Sequence, residues 1–246
     1  GGYEYTSPEA GMADYRLYAG KPVVIKPKST NFGLGITILK HNYDETDFKA
    51  ALQIAFEHDN TVLIEKFIPG REFRIFIIND EVVGILHRVP ANVTGDGVLN
   101  IGQLIDMKNE DPLRGKGYRT PLEKIRKGRE EEMFLKQQGM DFNTVPKERE
   151  VVYLRENSNI STGGDSIDFT DDIDDSYKAI AVEAAKALNV KITGLDMMIQ
   201  DIHAPATPDN YAIIEMNFNP AIHIHCYPFK GKNRHLNHKM IKALGF

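Results

Sequence analysis

Two acids and an amide late in the chain have the types and spacing of a hard-metal site. In Ile213-Ile214-Glu215-Met216-Asn217 the alternation of a strand turns Glu215 and Asn217 to the same side. Asp196 is embedded in the apolar run Gly194-Leu195-Asp196-Met197-Met198, and a carboxylate is costly to bury unless it is paired or bound to metal. Two carboxylates and an amide oxygen suit Mg2+, which keeps water and phosphate oxygens as its other ligands. An exposed strand face with unrelated acids is the alternative, and spacing alone leaves both open.

Two further segments carry anion- and nucleotide-binding chemistry. Val23-Val24-Ile25-Lys26-Pro27-Lys28-Ser29-Thr30-Asn31-Phe32-Gly33-Leu34-Gly35 is not the common P-loop, because Lys and Gly come in the wrong order. It still places Lys26 at the end of an apolar strand, followed by glycines that free backbone N–H groups to turn toward an anion. An ordinary hairpin is the bland alternative. Leu63-Ile64-Glu65-Lys66-Phe67-Ile68-Pro69-Gly70-Arg71-Glu72 offers a strand edge able to imitate a base pair to adenine, then an acid able to accept ribose hydroxyls. Two strands and a turn explain it equally well.

The elements that must position these residues follow from periodicity and punctuation. Ser7-Pro8-Glu9 starts a helix that Gly20 stops. Strands are expected at Val23 to Lys26 and Ile36 to Leu39, and an amphipathic helix at Asp44 to His58, where Phe48, Ala51, Leu52, Ala55 and Phe56 recur at helical spacing. Thr61 to Ile68, Glu72 to Ile78 and Glu81 to His87 read as strands, the last two joined by a tight Asn79-Asp80 turn. Asn92 to Pro121 is polar and rich in Gly and Arg, interrupted by a short apolar segment near Ile101 to Ile105, which suits a lid or binding loop. Glu123 to Gln138 and Asp174 to Leu188 are expected helices, with the acid run Asp171 to Asp175 capping the second. Val151 to Leu154, Ile192 to Gln200 and Tyr211 to Asn217 complete the strands, and the last dozen residues are expected to be helical. Strands and helices that do not strictly alternate give an α+β class.

Bulk properties exclude several functions. The 246 residues suffice for one large domain or two small ones, and a net charge of −5 argues against a nucleic-acid-binding surface. No apolar run is long enough to cross a bilayer, and no secretory signal opens the chain. The single Cys226 rules out an internal disulfide and fits a reducing cytoplasm. His223 and His225 alternate on an extended segment beside Cys226, with His235 and His238 nearby. A zinc site is conceivable there, although the spacing matches no standard one and a substrate-lining or surface role is preferred.

In this order the segments resemble the ATP-grasp superfamily, and more closely the glutathione synthetase domain of the bifunctional bacterial γ-glutamate–cysteine ligase/glutathione synthetases. The specific stretches are Lys26 to Ile36, Arg88-Val89-Pro90-Ala91-Asn92-Val93-Thr94-Gly95-Asp96-Gly97, and Asn109 to Tyr118. Leu154-Arg155-Glu156-Asn157, leading to Ser161-Thr162-Gly163-Gly164, is also similar to cyanophycin synthetases, and the resemblance runs over nearly the whole chain.

The resemblance implies an ATP-grasp fold, two α+β subdomains gripping ATP between them, with residues 1–90 as the small one and 91–246 as the large one. It implies ATP with one or two Mg2+ (or Mn2+), held by Asp196, Glu215 and Asn217. Lys26 and Lys28 would meet the phosphates, and Ser29 to Gly35, with Gly33 and Gly35, would form the loop over them. Glu65, Lys66, Phe67 and Ile68 would be the adenine hinge and Glu72 the ribose ligand. Arg88, Arg155, Ser161 and Thr162 would lie near the transferred phosphate or the substrate. The implied reaction is cytoplasmic synthesis of glutathione from γ-glutamylcysteine and glycine through an acyl phosphate, in a longer chain that also holds the γ-glutamate–cysteine ligase.

Two departures stand out. The family's upstream ATP-binding lysine precedes the point where this chain starts, which implies that the N-terminal part of the full ligase is absent and leaves nucleotide binding without turnover as an alternative. Gly194 stands where many such ligases carry an arginine two residues before the metal aspartate, which shifts the positive charge to Arg155 or Arg88.

Overall fold

Alternation of buried and open residues builds the first sheet. The computed structural model describes residues 2–30, 34–40 and 42–245, and it divides at Pro69/Gly70 into two compact units. In the first, β1 (Gly2–Tyr5), α1 (Pro8–Ala13), α2 (Tyr15–Tyr18), β2 (Val23–Pro27), β3 (Thr37–Leu39), α3 (Glu45–Phe56) and β4 (Val62–Lys66) follow in order. The sheet order is β1-β4-β2-β3, with every pair antiparallel.

A capping box starts α3: Asp44 Oδ1 accepts from the N–H groups of Thr46 and Asp47, and Asp47 returns the favour to the Asp44 N–H. Its Phe48, Ala51, Leu52 and Ala55 pack on Val23, Ile25, Val62 and Ile64 in one core. Strand alternation therefore turns Val24, Lys26, Leu63 and Glu65 to the opposite face. The single helix expected up to Gly20 is two short ones, broken at Asp14, whose carboxylate accepts from the Tyr5 hydroxyl.

The second unit runs β5 (Arg71–Ile78), β6 (Glu81–Val89), β7 (Asn92–Thr94), α4 (Ile101–Lys108), β8 (Arg114–Gly115), β9 (Leu122–Glu123), α5 (Arg129–Gln137), β10 (Val151–Tyr153), β11 (Asp165–Asp168), α6 (Asp175–Ala187), β12 (Ile192–Ile199), β13 (Tyr211–Asn217), α7 (His223–Cys226) and α8 (Leu236–Ala243). Five antiparallel strands lie in the order β11-β6-β5-β12-β13. Asn79 and Asp80, at φ 48° and 65°, make the expected tight turn. Phe73, Ile75, Ile77, Leu195, Met197 and Ile199 bury one sheet face against Tyr177, Ala181 and Ala185 of α6. On the other face Phe76 and Ile78 lie under Cys226 and Leu236, while Glu72, Arg74 and Asp196 stand beyond that cover.

The expected boundary at 90/91 moves to 69/70, because β5 and β6 are hydrogen-bonded members of the five-stranded sheet. Residues 91–154, read in part as a long irregular cover, enclose a core of their own formed by Ala91, Val93, Ile101, Leu104, Ile105, Ile125, Leu135, Val152 and Leu154. The helix expected from Glu123 begins only at Arg129, since Leu122–Glu123 is spent pairing with β8.

Candidate functional site

Register sets the site of the second unit. Asp196 on β12 lies opposite Arg74 on β5 and opposite Glu215 on β13, so the three side chains share one face. A bulge follows Asp196, which skips Ile214 and leaves Glu215 in that row. Asp196 is 1% exposed. Both of its carboxylate oxygens are bonded, Oδ2 to the Arg74 fork at 2.8 Å and to Arg88 at 2.9 Å, with Arg74 Nε on Oδ1. Arg88 also pairs with Glu72, whose second oxygen takes the Ser158 hydroxyl. Two guanidinium groups and two carboxylates thus form one connected network, with Arg74 and Asp196 buried and Arg88 and Glu72 half-buried, the arrangement in which such charges are tolerated away from water. Arg88 Nε has no partner in it.

The arginine absent at position 194 has a counterpart from the neighbouring strand. A Cβ on Gly194 would stand 2.9 Å from Arg74 Cδ and 2.8 Å from Pro220 Cβ, so Arg74 fills the space that a side chain there would take. Arg74 and Ser158 escaped the sequence reading. The signal for Arg74 was its spacing two residues after Glu72 on a strand; Ser158 had none.

Of the expected metal ligands, Glu215 is exposed and accepts from Asn217 Nδ2 at 3.0 Å, which turns the Asn217 carbonyl away from it. Among the described residues no three His, Cys, Asp or Glu side chains come together to hold a metal. The donor set here is two carboxylates and an amide, all oxygen, with Asp196 also engaged by two arginines. It fits a hard divalent ion that takes its remaining ligands from phosphate and water.

Arg155 does not fork onto this network. Its guanidinium grips Glu131 at 2.6 Å and Glu130 on α5, so the structure assigns the added positive charge beside Asp196 to Arg74 and Arg88. Ser161 and Thr162 lie in a short 3-10 turn, where Thr162 Oγ1 bonds Asn157 Oδ1 at 2.9 Å. The hydroxyl that meets Glu72 belongs to Ser158 instead.

In the first unit Lys26 Nζ pairs with Glu65 at 2.6 Å on the sheet face opposite α3. Lys28 pairs with Glu4 at 2.7 Å. The Ser29 N–H donates to Asp59 at 2.7 Å. Gly35, at φ 78°, has His58 and Pro27 within 2.7 Å of any Cβ, so only glycine fits there. Gly33 lies outside the described residues. In the segment expected as a hinge, Lys66 ends β4 opposite Val23, the Phe67 N–H donates to the Pro22 carbonyl, and Ile68 is buried.

The histidines fall on helices rather than on an extended segment. His225 on α7 is buried with neither ring nitrogen bonded, its ring edge-on to Phe76. Burial pulls its pKa down to about 3. His235 and His238 meet at the start of α8. Asp174 caps α6 as expected, while Asp171 pairs with Lys232 and Arg234.

The family model described as D-ala D-ala ligase C-terminus matches residues 6–103. The glutathione biosynthesis bifunctional protein of Desulfotalea psychrophila is 62% identical over 245 residues, 100% of this chain and 32% of that protein. The protein of the same name from Clostridium perfringens is 55% identical over 99% of this chain and 31% of its own. The chain therefore spans about a third of the length of these curated relatives. The crystal structure of a bifunctional glutathione synthetase from Pasteurella multocida superposes with a TM-score of 0.76 at 47% identity, over 99% of this chain and 34% of that one. The ATP-grasp ligase PsnB with its precursor peptide and AMPPNP shares the fold alone, at a TM-score of 0.51 and 14% identity over 99% of this chain and 52% of that one.

Proposed function

The chain belongs to the ATP-grasp family, and from that premise we propose that it is the ATP-binding, amide-forming part of a ligase that joins γ-glutamylcysteine to glycine. The observation that carries the reading is the network of Glu72, Arg74, Arg88 and Asp196 beside Glu215 and Asn217 on one sheet face. A nucleotide triphosphate needs fixed cations next to hard oxygen ligands, and that face has both.

In the proposed reaction the γ-phosphate passes to the cysteinyl carboxylate, and the glycine amine displaces phosphate from the acyl phosphate. Phosphoryl transfer asks for positioning and charge neutralisation more than for covalent help. Lys26 and Lys28 bind phosphate oxygens, with Ser29 to Gly35 supplying backbone N–H groups. Lys66, Phe67 and Ile68 face the base, and Glu72 accepts the ribose hydroxyls. Arg88 and Arg74 neutralise charge on the transferred group, and Arg155, Ser161 and Thr162 serve the substrate. Asp196, Glu215 and Asn217 would hold Mg2+, or Mn2+ in its place, which supplies charge neutralisation at the phosphates. The acyl phosphate must be kept from water, and residues 91–154 are the cover proposed for it. The relatives' length supports a γ-glutamate–cysteine ligase elsewhere in a longer chain. No described helix is long and apolar enough to cross a membrane, and cytoplasmic location is part of the proposal.

The test is phosphate release from Mg-ATP and γ-glutamylcysteine with and without glycine, in parent and Glu215→Ala proteins. Glycine-dependent amide formation is expected in the parent. The Glu215→Ala protein should lose a stabilisation of about 3 kcal/mol, a rate loss of roughly 10²-fold, and Asn217→Ala should lose less. A Glu215→Ala protein as fast as the parent would sink the metal assignment. Stimulation by another amine in place of glycine would redirect the substrate reading.

A further inference from the structure

Residues 91–154 leave and rejoin the five-stranded sheet by two crossings, Pro90–Asn92 outward and Leu154–Gly164 on return. At the root of both sits Asp165, 4% exposed, the first residue of β11. Asn92 of β7 donates from Nδ2 to Asp165 at 3.0 Å, and Lys108 at the end of α4 donates at 2.7 Å. Arg114 of β8, its side chain fully buried, pairs with the other oxygen. The same guanidinium binds the Glu123 carbonyl at 2.8 Å and the Gly163 carbonyl at 3.0 Å, so it ties β9 and the return crossing to the same point.

This cluster is a joint and not a ligand site. A recess of ≈ 510 Å³ adjoins it, lined in part by Thr94, Met107, Lys108, Asp111 and Phe229. Yet all three Lys108 N–H groups are spent, on Asp165, on the Asn92 carbonyl at 2.9 Å and on Asn92 Oδ1 at 3.1 Å. An entering anion would find no free donor on that ammonium. The Phe229 ring lies 5.2 Å from Lys108 Nζ and 5.5 Å from Arg114 Cζ, and closes the cluster further.

The joint is one step from the candidate site. Ser166, next to Asp165, is paired across the ladder with Arg88. The return crossing held by Arg114 carries Ser158, which bonds Glu72. We propose that Asp165 is a positioning residue, the common anion that fixes residues 91–154 and the Ser158 turn relative to the Glu72–Arg88–Asp196 network. Its effect on catalysis rests on the function proposed above; its effect on the joint does not.

The experiment uses the full-length protein with Asp165→Asn, and with Lys108→Met/Asp165→Asn. The double variant keeps the net charge of the parent cluster and leaves one cation, Arg114, without its carboxylate, where the single variant leaves two. Two quantities are read: phosphate released per amide formed, and hydrogen exchange across residues 70–246. In both variants phosphate per amide should rise about threefold or more as water reaches the intermediate, with amide formation down at least about tenfold. Exchange should quicken in residues 91–154 while β5 and β12 keep their protection. Parent-like coupling in the double variant would overturn the proposal, as would exchange that quickens equally in β5 and β12. A parent that forms no amide at all would refute the function proposed for the chain, and the exchange pattern would then decide the joint by itself.

Discussion

Gly194 has no side chain, and Arg74 lies where one would be. The crowding at 2.9 Å from Arg74 Cδ and 2.8 Å from Pro220 Cβ gives Gly194→Ala a definite consequence. Strand backbone accommodates alanine, so the cost comes from space alone. The proline ring cannot rotate aside, and Arg74 must give up its fork on Asp196. Overpacking of this kind costs about 1–3 kcal/mol, and the displaced guanidinium leaves Asp196 buried with Arg88 only. Gly194→Ala is expected to lower the urea midpoint of residues 70–246 and to slow ATP turnover by roughly 10²-fold. Turnover unchanged alongside an intact fold would show that the Arg74–Asp196 pair has no part in the reaction. The acids of this site were legible as an unusual pattern within an apolar strand. Arg88 entered only through the family resemblance and Arg74 not at all, because their meeting with Asp196 depends on the order β6-β5-β12, and no spacing along the chain reports which strands are neighbours.

Strands with strong alternation were legible at the level of elements: Tyr211–Asn217 falls where expected, and Ile192–Ile199 and Arg71–Ile78 differ by one residue at an end. The short elements were not. Asp165–Asp168 is four residues of mostly polar sequence, held in the sheet by pairing to β6 rather than by any pattern of its own. Ile101–Lys108 lay inside a stretch read as mostly irregular, although Asn100 and Gln103 stand at capping-box spacing at its start. Both bonds of that box form, Gln103 N–H to Asn100 Oδ1 at 2.8 Å and Asn100 N–H to Gln103 Oε1 at 3.0 Å. Because α4 ends in Lys108, its start bears on the joint at Asp165. Asn100→Ala should cost about 1 kcal/mol, read as faster hydrogen exchange in Ile101–Lys108. Exchange there at the parent rate would mean that burial of Ile101, Leu104 and Ile105 holds the helix without its cap.

At the scale of the whole molecule, each unit closes on its own core, and the titratable histidines pulled furthest from their usual range both belong to residues 70–246. His87 packs 5.1 Å from the Phe73 ring, with Nδ1 3.0 Å from the Glu72 carbonyl. Burial, with the Arg71 cation as a smaller influence, pulls its pKa down to about 4. The folded unit therefore holds the neutral imidazole at pH values where the unfolded chain already binds a proton. Stability from this source is whole above about pH 6.5, falls as pH drops, and is gone below about pH 4. The loss over that window is roughly 3 kcal/mol for His87, and His225, at about 3, adds to it in the same direction. Urea unfolding of residues 70–246, followed from about pH 7 to about pH 4.5, should show this decline. Carboxylates titrate at the lower end of the range, so the decisive comparison is His87→Asn, which keeps a donor for the Glu72 carbonyl and removes the titration. Whatever its absolute stability, that variant should lose about half of the slope between about pH 6.5 and 5, and His225 should keep the rest. A slope parallel to the parent would mean that the imidazole at position 87 is protonated in the folded unit. The Glu72 carbonyl would then accept from a charged ring, one residue from Arg88, and the charge balance assigned to the network would have to include it.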